Sequence, residues 1–64
     1  MYLNNLKNKF VKVITFYGEE LIGIVIREPI VDLHLKTYHG LIVLDLCDVA
    51  DIIIIGEIVG DNNV

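Results

Sequence analysis

The sequence predicts an all-β chain: a small five-stranded barrel preceded by a short N-terminal helix or turn. Three observations carry this expectation. From Lys9 onward Ile, Val, Leu, Phe and Tyr dominate, mostly side chains that suit a pleated, half-buried surface. Turn signals at Gly18-Glu19-Glu20, Pro29, His39-Gly40 and Asp48–Asp51 cut that stretch into five short runs. The last run, Ile52 to Val59, is apolar on both faces, and such a strand cannot stand bare in water.

Each element follows in order. Tyr2, Leu3 and Leu6 stand at helical spacing and predict the short N-terminal helix or turn. Residues 9–17, KFVKVITFY, read as the first strand, and residues 21–28, LIGIVIRE, as the second. Gly23 inside that second strand predicts a sharp bend or a close backbone approach. Pro29 has no N–H to give a ladder and marks a break or an edge. Residues 30–38 then alternate: Val31, Leu33 and Leu35 on one face, Asp32, His34 and Lys36 on the other. That is a strand with one buried and one wet side. His39-Gly40 makes a hairpin, and residues 41–47 return as the fourth strand. Asp48 to Asp51 predict a single 3₁₀ turn capped by Asp48, and residues 52–59 form the fifth strand. Five strands are too few for a sandwich, which leaves a small closed barrel.

Sixty-four residues make one domain spanning 1–64. A chain this short buries only about 60% of its unfolded surface and needs support from disulfides, a metal or oligomerisation. Cys47 is a lone cysteine, and the two histidines have no zinc-site spacing, so no metal and no cofactor is expected. Oligomerisation remains. A hydrophobic content of 55% points the same way. The net charge is −4 with five Lys and Arg, a poor electrostatic grip for nucleic acid. No apolar run reaches the ~18–20 residues of a membrane span, so no membrane partner is expected. The N-terminus lacks a signal-peptide core, and with an unpaired cysteine the expected location is the cytoplasm.

The spacing of Val11, Val13, Gly18, Leu21, Gly23 and Val25 resembles the first motif of Sm-like proteins, the LSm and Hfq types included. VDLHLK, residues 31–36, falls where that family has its third strand, and LNNL, residues 3–6, where it has a short N-terminal helix. The resemblance covers about residues 3–59 and implies an SH3-like or Sm-like five-stranded barrel. It also implies a ring in which the fourth strand of one subunit pairs with the fifth of the next. The RNA-binding positions depart from the family. Residues 28–32 read EPIVD and carry no Asn, and residues 44–48 read LDLCD where Arg-Gly or Tyr-Lys-His is expected. RNA is therefore disfavoured as a partner.

Few residues invite a sharper assignment. His34 and Lys36 share a strand face with Asp32, and Tyr38 and His39 follow closely; together they form the candidate ligand or RNA contact. A solvated strand face is the better explanation of them. Glu19, Glu20, Asp45, Asp48, Asp51 and Glu57 match no cation-loop spacing and serve solubility. Cys47 has Asp48 rather than a base beside it and is expected to be a packed or interface cysteine. No serine and no nucleophile–base pair is present, so no catalytic residue and no enzyme activity is expected. The candidate oligomer interface is Leu41, Val43, Leu44 and Ile52, Ile53, Ile54 and Ile55. The expected function is a non-catalytic homo-oligomer of about five to seven subunits, a scaffold or protein-interaction module with a protein partner. A divergent RNA-binding ring is the runner-up, and a small-ligand-binding barrel the third reading.

Overall fold

The computed structural model describes residues 5–57. They form one antiparallel sheet of five strands: β1 (Lys9–Thr15), β2 (Glu20–Val25), β3 (Asp32–Thr37), β4 (Gly40–Asp45) and β5 (Val49–Glu57). The spatial order is β4-β3-β2-β1-β5, so β4 and β5 are the two edges. The all-β expectation holds. The expected closed barrel does not, because the sheet is open: β4 spends its whole length pairing with β3, and the chain then leaves the ladder.

The open sheet is nonetheless curled. A 3₁₀ turn, Leu46–Asp48, is all that separates the end of β4 from the start of β5. Four residue steps from Asp45 to Val49 reach at most about 14 Å. Four strand spacings across a flat sheet would be about 19 Å. The two edges are therefore drawn together at that end. Backbone hydrogen bonds pin the turn from both sides: Leu46 N–H donates to the Val31 carbonyl at 3.1 Å, and Phe16 N–H to the Asp48 carbonyl at 2.9 Å. The turn lies two residues earlier than the sequence suggests. Asp45 rather than Asp48 caps it, accepting from the Cys47 N–H at 3.0 Å, and Val49 is claimed by its pairing with Thr15.

Inside the curl sit Leu6, Val11, Val13, Val25, Leu33, Leu35 and Val49, with Leu21, Leu44, Leu46 and Ile52 packed around them. Gly23 makes this tight curvature sterically possible. A Cβ built on it would lie 2.5 Å from the Lys36 carbonyl oxygen and 2.9 Å from Leu35 Cγ, far inside van der Waals contact. Close backbone approach, as the sequence predicts, is the reason for the glycine. The β1–β5 ladder slips twice: Phe10 pairs with Gly56 but Val11 with Ile54, and Ile14 pairs with Asp51 but Thr15 with Val49. Ile55 and Ala50 are thus extra residues in β5, and such bulges bend the strand and raise its twist.

The start of the described chain is a turn. The Lys9 N–H reaches the Leu6 carbonyl at 3.0 Å, and Asn8 adopts φ 67° within the turn, a left-handed conformation that asparagine tolerates. The Glu28 carboxylate accepts from the Leu6 and Lys7 N–H groups, both at 3.0 Å, which seats Leu6 in the core at 2% exposure. Residues 1–4 of the expected helix lie outside the described residues. Strand ends also differ from expectation. Phe16 and Tyr17 belong to the β1–β2 turn, and Ile30 and Val31 to the β2–β3 loop. Val31, expected on the buried face, is exposed because β3 begins only at Asp32.

Candidate functional site

The register places the candidate residues without ambiguity. His34 and Lys36 lie two apart on the outer face of β3; His34 is opposite Val43, and Lys36 lies between Ile24 and Leu41. Tyr38 and His39 form the β3–β4 turn, where their rings meet edge to face with centroids 5.4 Å apart at 87°. Thr37 organises that turn: its hydroxyl donates to the Gly40 carbonyl at 2.8 Å and accepts from the His39 N–H at 3.1 Å. Gly40 follows at φ 116°, a conformation that glycine adopts at no steric cost.

The four residues therefore divide. Tyr38 and His39 touch, while Lys36 and Tyr38 share a groove of about 360 Å³ floored by Phe10, Ile22 and Ile24. His34 turns instead to Arg27, whose Nη2 donates to the imidazole Nε2 at 2.8 Å. Arginine has no acceptor, so Nε2 is the accepting nitrogen and the proton of the neutral ring sits on Nδ1. Nothing local in the sequence marks Arg27 as a site residue. The Ile26 N–H bond to the His34 carbonyl, 3.1 Å, continues the β2–β3 pairing and sets Arg27 beside that imidazole. Finding it in advance would have required the β2–β3 register. A second hollow of about 300 Å³ is lined by Arg27, Glu28, Ile30, Val31 and Asp32 in the β2–β3 loop.

The candidate interface residues also separate into two groups. Leu44 and Ile52 turn inward and pack on the core. Leu41, Val43, Ile53, Ile54 and Ile55 are exposed, at 58%, 52%, 41%, 51% and 50%. They lie on β4 and β5, the two strands with only one partner each. An edge strand presents a row of unpaired N–H and C=O groups, a template for another strand.

Electrostatics around the 3₁₀ turn disfavour reactivity. Cys47 is exposed rather than packed within the chain; in the same turn it is Leu46 that packs on the core. The negative charge of Asp45, its hydrogen bond and then Asp48 push the thiol pKa up, so the thiolate is suppressed. The Tyr17 hydroxyl donates to Asp48 Oδ1 at 3.2 Å, and the Asp48 charge raises its pKa too. At the other end, the Lys7 and Leu6 N–H bonds hold the Glu28 carboxyl below the usual carboxylate range. Among the described residues no three His, Cys, Asp or Glu side chains gather to hold a metal ion. No helix among them is long and apolar enough to cross a membrane.

Neither a family model, nor a curated protein, nor a solved structure matches this chain.

Proposed function

We propose that this chain is a non-catalytic, homo-oligomeric Sm-like module that assembles head to tail and serves as a scaffold or protein-interaction surface. One observation carries the reading: both edges of an open five-stranded sheet bear exposed apolar side chains, Leu41 and Val43 on one, Ile53 to Ile55 on the other. Soluble monomers avoid such continuous apolar edges, which invite strand addition. Pairing β4 of one copy with β5 of the next covers two edges at once, and repetition closes a ring when the rotation permits.

Two single-edge variants test the head-to-tail arrangement. Val43→Lys blocks the β4 edge and leaves β5 intact; Ile55→Lys does the reverse. Each alone is expected to sediment as a monomer, and an equimolar mixture as a heterodimer joined through the two unaltered edges. Dimers of either variant alone would mean like-with-like pairing and would overturn the arrangement.

The runner-up reading, an RNA-binding ring, draws support from Tyr38. It is 97% exposed on a turn tip beside His39, where a base can stack. The net charge of −4 opposes it. Short A-rich and U-rich oligonucleotides are expected to bind more weakly than about micromolar at physiological salt. Nanomolar binding of either would promote the RNA reading.

A further inference from the structure

The groove on the outer face of β1–β3 has a composition that the edge-pairing reading does not use. Phe10, Ile24 and Lys36 are register partners in one row across the three strands, a span of about 10 Å. Ile22 and Tyr38 flank that row, and Phe10 and Ile22 are 39% and 51% exposed. The groove is shallow and open, and its volume, about 360 Å³, lies at the lower end of the range for small-molecule sites. Lys36 is the single charged residue in the lining, and no carboxylate accompanies it.

That lysine differs from its neighbours. Lys9 pairs with Glu57 at 3.7 Å and Lys12 with Glu20 at 3.1 Å, on the same sheet. Among the described residues Lys36 makes no ion pair, and its cross-strand neighbours are the apolar Ile24 and Leu41. In a chain with nine acids, a lysine left beside an apolar floor presents an unused cation. A neutral apolar molecule would gain only the floor. An inorganic anion would gain only the ammonium. A short alkyl chain ending in a carboxylate matches both, lying across Phe10, Ile24 and Ile22 with its head at Lys36 Nζ and the Tyr38 ring beside it.

We propose that this groove binds a small amphipathic carboxylate, an alkyl acid of medium chain length, independently of the β4 and β5 edges. The test is an NMR titration of the full isotope-labelled chain with octanoate, and in parallel with octanol. Octanoate is expected to give saturating shifts at Phe10, Ile22 and Ile24, and to bind more tightly than octanol. Lys36→Gln is expected to weaken octanoate about tenfold and to leave octanol unchanged. Absence of saturable shifts, equal binding of the acid and the alcohol, or shifts centred on Ile53–Ile55 would each overturn the proposal.

Discussion

β3 and β5 are both rich in apolar side chains, and the fold uses them in opposite ways. β3 lies between β2 and β4, hydrogen-bonded on both edges, and needs only one apolar face. Leu33 and Leu35 fill that face with 0% exposure, while Asp32, His34 and Lys36 take the other. β5 pairs on one side only, slips register twice against β1, and leaves Ile53, Ile54 and Ile55 at 41–51% exposure. Apolarity alone does not decide burial; the face of the curled sheet that a side chain occupies decides it, as Ile22 and Phe10, exposed on the outer face of central strands, show. A central strand buries half its side chains by geometry, whereas an edge strand with two apolar faces carries more apolar surface than its own fold can cover.

The sharpest way to break the comparison is at the pinch that creates the inner face. Gly23→Val forces side-chain atoms against the Lys36 carbonyl and is expected to cost about 3 kcal/mol. Thermal unfolding should then shift down by at least about 10 °C, given the size of the domain. An unchanged melting temperature would mean that the sheet is not pinched there.

Truncations on the two strands sharpen the contrast itself. Leu35→Ala opens a cavity in the buried face and should cost about 2–5 kcal/mol in urea unfolding. Ile55→Ala, on an exposed bulge, should change the stability of the isolated fold by less than about 0.5 kcal/mol. Its effect should instead appear as a loss of the stabilisation that the native chain gains with rising chain concentration, since association favours the folded state by mass action. Equal losses at both sites would contradict the division of labour between β3 and β5.

Much of this architecture is legible in the sequence. The alternation of residues 30–38 predicts a two-sided strand, and β3, Asp32–Thr37, is one although Val31 falls outside it; Gly23 inside an apolar run predicts a sharp bend or close backbone approach, and Lys36 supplies the approach. What could not be read depends on tertiary pairing. Phe16, Tyr17, Ile30 and Val31 have the composition of strand residues, yet their backbone is drawn into the turn and loop that hold the Leu46–Asp48 corner. The bulges at Ala50 and Ile55 have no local signal, because β5 must first align with β1. The Arg27–His34 hydrogen bond is hidden for the same reason: both partners are ordinary residues until the β2–β3 register brings them to 2.8 Å.

A smaller effect separates the tethered N-terminal turn from the rest of the sheet. The Lys7 and Leu6 N–H groups lower the Glu28 pKa in the folded chain below its unfolded value. The stabilisation is therefore present above the unfolded pKa and is lost as pH falls through the folded one. Melting temperatures of the native chain and of Glu28→Gln should differ near neutrality and converge in acid. A constant difference at all pH values would mean that the carboxylate charge plays no part. The smallest expected effect concerns Cys47: Asp45→Asn should raise its alkylation rate at mildly alkaline pH by removing the charge that suppresses the thiolate. A slower or equal rate would contradict the assigned cause.

The account turns on whether the surplus apolar edge of β5 finds a partner in another copy of the chain. Static light scattering on the native protein at micromolar concentration answers this directly. The mass expected is a single value about five to seven times the 7.2 kDa chain, stable on dilution. A mass near 7.2 kDa across the same dilution series would contradict it.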